Sequence, residues 1–148
     1  MKYTQGYLNR IFVARLDDGE SIKQSIENIC IREAIRYAVV YLVGGMKDTK
    51  REGKLVGLGL VLPKEKKPNF LFHASIGNRE ETYFGQSEDD VVAKTIVEAT
   101  VFELDGLDAM RLFDKELDCD ALTIVGPGSD GKADTAMKGA FNMSSSRK

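Results

Sequence analysis

The alternating pattern of residues 69–76 is the feature that most limits how this chain can fold. The segment has the sequence NFLFHASI. Successive side chains of a β-strand point to opposite faces, so the pattern predicts a half-buried strand. One face carries Phe70, Phe72, Ala74 and Ile76, and the other carries Leu71, His73 and Ser75. His73, the one histidine of the chain, is therefore expected to point away from the aromatic core.

The residues that follow this strand predict a hairpin. Residues 76–79 have the composition of a turn, and residues 82–85 (TYFG) form a short β-rich segment. A return strand there would bring Gln86 back towards His73. Any site chemistry is expected near this hairpin.

Periodicity predicts four further elements before residue 63. Residues 7–16 favour a first strand, which an Asp-Asp-Gly turn ends. Residues 21–33 predict an amphipathic helix, with Ser21 and Gln24 as a capping box. Residues 37–43 form a continuous apolar run typical of a central strand buried on both faces. Residues 54–62 alternate again, and Gly57 and Gly59 share one face, which allows a close approach to the backbone.

The remaining segments are less regular. Residues 93–104 fit both helical and extended periods, and their β-branched and aromatic content favours a strand. Residues 46–53 and 63–68 are charged and predict loops. Residues 87–90 suit a short helix, and residues 105–120 are expected to be mostly loop.

The C-terminal segment, residues 126–148, is rich in Gly, Ser and Ala. It is typical of a flexible tail, or of an arm that packs on a neighbouring subunit. Residues 126–133 nearly match a phosphate-binding loop, but Ala133 stands where that loop needs a hydroxyl. We therefore expect one domain, residues 1–125, followed by this tail or arm.

Composition excludes several classes of protein. The chain has 148 residues, a net charge of −2 and 43% hydrophobic residues, as expected for one folded domain. Four basic and two acidic residues lie in the tail, so the body holds 17 basic and 21 acidic residues. An acidic body offers no general attraction to DNA phosphates. Cys30 and Cys119 lack metal or redox spacing, which favours reduced thiols in the cytoplasm, and no apolar run approaches the roughly 20 residues of a membrane span.

Two groups of residues are candidates for a site. His73, Gln86, Arg15 and Glu98 could converge on a polar sheet face to bind a ligand, although an exposed sheet face or a structural ion pair explains them as well. Lys47, Lys50, Arg51 and Lys54 could contact nucleic acid, although an ordinary charged loop explains them equally. No Ser/His/Asp or Cys/His nucleophile arrangement can be assembled, so a non-enzymatic role is favoured.

Several motifs in their order along the chain resemble the PPC domain (plant and prokaryote conserved domain, also called PD1-like). The matching segments are residues 15–20 (RLDDGE), the strand ending at residues 44–45 (GG), and residues 54–60 (KLVGLGL), 72–77 (FHASIG) and 83–86 (YFGQ). The resemblance covers about residues 7–124. It implies an α+β fold, in which a helix flanks a mainly antiparallel sheet, assembled as a homotrimer. The family is conventionally labelled DNA-binding.

The chain departs from the family pattern in two respects. Many prokaryotic members carry HxH on the central strand and GGH on the next, and those three histidines can hold a metal. Here Leu71 and His73 occupy the first motif, while Phe84, Gly85 and Gln86 occupy the second. One ligand of three remains, so we expect no bound metal and no cofactor. The RGRP core of the AT-hook, through which plant members contact DNA, is also absent.

These observations lead to three hypotheses. The first is a cytoplasmic, homotrimeric PPC-type protein with a regulatory or DNA-binding role, in which any binding of DNA is weak. The second is a small-molecule-binding protein or enzyme with a site around His73 in a subunit cleft. The third is an interaction module whose subunit surface is its function. None of them involves a membrane.

Overall fold

The computed structural model describes residues 1–79, 81–86 and 91–125 of the chain. These residues form eight strands and one helix. In chain order they are β1 (Tyr7–Asp17), α1 (Ile22–Arg32), β2 (Tyr37–Lys47), β3 (Glu52–Lys64), β4 (Lys67–Gly77), β5 (Thr82–Gln86), β6 (Val92–Asp105), β7 (Ala109–Asp114) and β8 (Cys119–Ile124). The predicted α+β architecture is confirmed. The expectations for residues 87–90 and 126–148 lie outside the described residues.

Six strands form one antiparallel sheet in the order β1-β6-β2-β3-β4-β5. The late strand β6 therefore lies between the first two strands of the chain. The prediction of a strand at residues 93–104 is confirmed. Strands β7 and β8 form a separate hairpin, which packs against the sheet through Tyr37, Leu62 and Ala109.

Helix α1 covers one face of the six-stranded sheet. Its N-terminus begins after Ser21, whose hydroxyl accepts a hydrogen bond from the backbone N–H of Gln24 at 3.3 Å, as the capping prediction requires. Ile22, Ile26 and Cys30 are buried against the sheet. Burial raises the pKa of the Cys30 thiol to about 12. Cys119 is also free, but it is exposed.

An ion-pair cluster ties the end of the helix to the edge of the sheet. The Arg10 guanidinium donates hydrogen bonds to both carboxylate oxygens of Glu103, at 2.6 and 3.1 Å. It also donates to the backbone carbonyl of Glu33, the C-cap residue of α1, at 2.7 Å. Glu103 is 7% exposed, so its carboxylate needs hydrogen-bond partners of this kind inside the protein.

Three of the loop predictions are wrong. Residues 63–68 continue the strands, and Glu65 and Lys66, both with positive φ, form a two-residue turn of the kind that matches strand twist. Residues 46–53 shrink to a tight turn at residues 48–51, and Met46 is fully buried. Residues 105–120 contain β7 and the start of β8. In each case pairing with a neighbouring strand outweighs the local charge and turn propensity.

Gly59 has a packing reason to be glycine. A Cβ atom there would lie 2.5 Å from Phe70 Cε2, 2.6 Å from Phe72 Cβ and 2.7 Å from the Leu71 carbonyl oxygen. The two phenylalanine rings stack on each other with centroids 5.2 Å apart. The close approach predicted for the glycine face is thus made by the aromatic core itself. At Gly57 the nearest atoms would be 3.4 Å away, an ordinary contact.

The substitution Gly59→Ala is therefore expected to destabilise the protein, because the Phe70 and Phe72 side chains must move. The loss should be about 1–3 kcal/mol in free energy of unfolding, measured by urea denaturation. Gly57→Ala is the matched control and should change stability by less than about 1 kcal/mol. Equal effects of the two substitutions would contradict this account of the core.

Candidate ligand and nucleic-acid sites

The face of the sheet opposite α1, which we call the open face, carries all four predicted ligand residues. The strand register aligns their positions in two adjacent rows across the sheet. The first row is Val13, Thr100, Tyr41, Leu58, His73 and Gln86. The second row is Arg15, Glu98, Val43, Val56, Ser75 and Phe84.

His73 and Gln86 are direct cross-strand partners on β4 and β5. The hairpin that the sequence predicted is thus confirmed. His73 is exposed, as its place in the alternation requires. Its imidazole stacks on the ring of Phe84 with a centroid separation of 6.1 Å and an interplanar angle of 11°. Because Phe84 is 78% exposed, this pair forms an accessible aromatic surface beside Gln86.

Arg15 and Glu98 form the second cross-strand pair, on β1 and β6. The Arg15 guanidinium makes its ion pair with Asp17, at 2.8 Å, on its own strand. Glu98 is exposed. The side chains of Arg15 and Glu98 are therefore solvated, and Arg15 already has a carboxylate partner in Asp17.

The two pairs lie far apart within one chain. Glu98 is three strands from His73 and Arg15 is four strands away. With about 4.8 Å between neighbouring strands, these separations are about 14 and 19 Å. A single chain therefore places the two pairs on the same face without bringing one pair into contact with the other.

The residues at the family's metal positions do not fit a metal ion. Leu71 lies two residues before His73 on β4, and Gln86 lies opposite His73. Leucine has no donor atom, and an amide oxygen is a poor ligand for zinc. Across residues 1–79, 81–86 and 91–125 no group of three or more His, Cys, Asp or Glu side chains is arranged to hold a metal.

The four predicted nucleic-acid residues lie together at the β2–β3 turn. Lys47, Lys50 and Lys54 are exposed. Arg51 is held by Asp48 through two guanidinium hydrogen bonds, at 3.0 and 3.2 Å, and its guanidinium also lies 5.6 Å from the ring centroid of Tyr83. The turn lines a shallow surface depression of about 250 Å³.

Asp48 organises this turn. Its carboxylate accepts hydrogen bonds from the backbone N–H groups of Lys50 and Arg51, each at 2.7 Å. Partial burial opposes ionisation, but these bonds and the Arg51 guanidinium together lower the pKa of the Asp48 carboxyl. The nearby Lys94 ammonium pairs with Glu52 at 2.5 Å. Lys47, Lys50 and Lys54 are therefore the cations best placed to meet an external phosphate.

Sequence reasoning missed the apolar character of the open face. Its exposed apolar side chains, which range from 40% to 80% exposed, are Ile11, Val13, Tyr41, Val43, Val56, Leu58, Leu60 and Phe84. Residues 54–62 had predicted an apolar face and a glycine face. The structure turns the glycines towards the core and the apolar residues outwards. The sequence signal for this orientation was that Gly59 lies beside two large aromatic residues of β4, Phe70 and Phe72, which leave no room for a larger side chain.

Comparison with known proteins agrees with this fold. The sequence profile of the Plants and Prokaryotes Conserved (PCC) domain matches residues 3–105. None of the curated proteins matches this chain. No helix among the described residues has the length and apolar character needed to cross a bilayer.

Three solved structures share the architecture. A plant- and prokaryote-conserved (PPC) protein of Pyrococcus horikoshii has a TM-score of 0.75 and 22% identity, covering 86% of this chain and 100% of its own. A metal-containing protein of Archaeoglobus fulgidus has a TM-score of 0.70 and 23% identity, with 83% and 99% covered. A protein of Ralstonia eutropha JMP134 named "putative DNA-binding protein" has a TM-score of 0.62 and 16% identity, with 76% and 90% covered. At these identities the likeness concerns the fold.

Proposed function

The chain belongs to the Plants and Prokaryotes Conserved domain family, and from that premise we propose that it is a regulatory homotrimer of the cytoplasm that contacts DNA weakly. Residues 1–125 supply the assembling domain. The open face forms the subunit interface, and Lys47, Lys50, Arg51 and Lys54 at the β2–β3 turn supply the DNA contact. The observation that carries the proposal is the exposed apolar surface opposite α1.

Self-association is the first part of this proposal. Eight apolar side chains on adjacent strands are at least 40% exposed on the open face. Contiguous exposed apolar surface of this kind marks interaction sites, since burying a Val, Leu or Ile side chain is worth about 1.5–3 kcal/mol. The trimeric state is the one that the family resemblance implies. A second copy of the chain is therefore the proposed partner.

The substitution Leu58→Lys should dissociate the assembly, because it places a charge at the centre of the open face. Sedimentation velocity is expected to give a trimer for the unmodified protein and a monomer for Leu58→Lys at about 10 μM, a concentration at which a micromolar interface is still populated.

The matched control is Ile31→Lys. Ile31 is 63% exposed, against 50% for Leu58, and it lies on helix α1, across the sheet from the open face. This variant should remain a trimer. A monomeric unmodified protein at this concentration would remove the basis of the proposed interface.

The DNA contact is the second part. Residues 47–54 carry four basic and two acidic side chains, so the β2–β3 turn has a net charge of +2 on a body that is acidic overall. A trimer would repeat this patch three times. The Ralstonia eutropha protein named above as "putative DNA-binding protein" supports the choice of partner. Weak, salt-sensitive binding follows from the few phosphates that such a patch can neutralise.

Fluorescence anisotropy of labelled duplex DNA tests this contact. Three neutralised phosphates predict a slope of about −2.7 in log affinity against log salt, which weakens binding about 40-fold between 50 and 200 mM salt. Combined replacement of Lys47, Lys50 and Lys54 by Gln should abolish binding.

Replacement of Lys66, Lys67 and Lys115 by Gln makes the same change of charge away from the β2–β3 turn and should leave the slope unaltered. If both triple variants weaken binding equally, the contact depends on overall charge and the assignment to this turn fails.

A small-molecule site around His73 is the second candidate function. The observation that favours it is that His73, Gln86, Arg15 and Glu98 occupy adjacent rows of one face, as two cross-strand pairs. Contact between the β4–β5 region of one subunit and the β1–β6 region of the next would unite them in a cleft. An imidazole, an amide, a guanidinium and a carboxylate suit a polar organic ligand, and the site needs no metal.

Native mass spectrometry of the purified assembly tests this candidate. The expected result is a bound organic mass, without zinc, that disappears in both His73→Ala and Glu98→Gln while the assembly persists. Its loss in one variant alone would place the ligand within one pair and contradict the composite cleft.

A further inference from the structure

Arg111 on β7 is a buried cation whose hydrogen bonding is incomplete. The residue is 7% exposed, and its Nε atom is buried without a hydrogen-bond partner in the part of the chain that the structure describes. Burial lowers the pKa of the guanidinium, while Asp120 opposes that effect. A buried donor without a partner is costly on a charged group, so a native protein is expected to provide a partner in its working state.

The strand register identifies the neighbours of Arg111. It lies two residues along β7 from Ala109, which packs against Leu62 of β3, so both β7 side chains lie on the inner face of the β7–β8 hairpin. Asp120 of β8 pairs with Phe113 and shares that face. Lys64 lies two residues beyond Leu62 on the facing strand, and its ammonium forms an ion pair with Asp120.

The two cations at this junction share one carboxylate. Asp120 stabilises both of them, and its hydrogen bond goes to Lys64. That hydrogen bond raises the pKa of Lys64, and the like charge of Arg111 opposes part of the rise. Glu65 acts on Lys64 from the adjoining turn. The side chains of Lys64 and Asp120 are 38% and 35% exposed, so this ion pair beside the buried Arg111 is accessible to solvent.

We propose that Arg111 and Lys64 form a receptor for an oxyanion, a carboxylate or phosphate group, at the junction of the β7–β8 hairpin and β3. The guanidinium N–H groups match such oxygens in geometry, and the Nε–H of Arg111 has no partner among the described residues. The site is independent of the proposed DNA contact and of the His73 cleft. The anion is taken from solution.

The first test measures thermal unfolding of the full chain with inorganic phosphate at constant ionic strength. A saturable rise in Tm of about 3–6 °C at ten times the dissociation constant is expected. Arg111→Met, which keeps the bulk of the side chain and removes its charge, should abolish the rise. The matched control Arg79→Met removes an exposed arginine and should retain it.

The second test removes the other cation of the receptor. Lys64→Gln should weaken phosphate binding at least tenfold. This variant replaces Arg111→Met in the test if Arg111→Met does not fold.

The receptor is refuted if the unmodified chain does not respond to phosphate. It is also refuted if Arg111→Met responds as fully as the unmodified chain.

Discussion

One short helix covers a six-stranded sheet that is wider than the helix is long, and the rest of the structure depends on this difference in size. Helix α1 has 11 residues and is therefore about 16 Å long, whereas six strands span about 24 Å. It can cover only one face. The phenylalanines of β4 and the glycine of β3 make that side dense, and the core is complete there. The other face receives the β7–β8 hairpin at one end and remains apolar and exposed elsewhere.

Because of this asymmetry, the environment of the polar residues on the open face depends on whether another chain covers that face. His73 and Glu98 sit among side chains such as Leu58 and Val43, which water solvates poorly. Covering those neighbours would change the dielectric environment of the polar residues at the same time. Assembly and ligand recognition would then draw on the same surface. The basic turn at Lys50 lies at the end of the sheet and can act separately.

Local patterns in the sequence were enough to predict the helix and the strands whose composition or periodicity is clear. The exposure of His73 follows from alternation and the cap at Ser21 from spacing, whereas the strand at residues 93–104 follows from its β-branched and aromatic content. Non-local facts were not accessible in this way. The ion pair between Arg10 and Glu103 could not be predicted from local sequence, because the two residues are 93 positions apart. The inward direction of Gly59 depends on the size of Phe70 and Phe72. Strand β7 was missed because its buried positions include a charged residue, Arg111, which lowers the apolar signal.

The position of β6 has a consequence for how the chain reaches its native state. Among the described strands, β1 pairs only with β6, and Tyr7 lies opposite Asp105. During synthesis the first strand therefore lacks this partner until β6, which begins at Val92, has been made. The β2–β5 meander can form early from local hairpins, but closure must wait for a contact of high sequence separation. The nascent chain thus carries an unsatisfied strand through most of its translation, and this interval is when mispairing between chains is most dangerous.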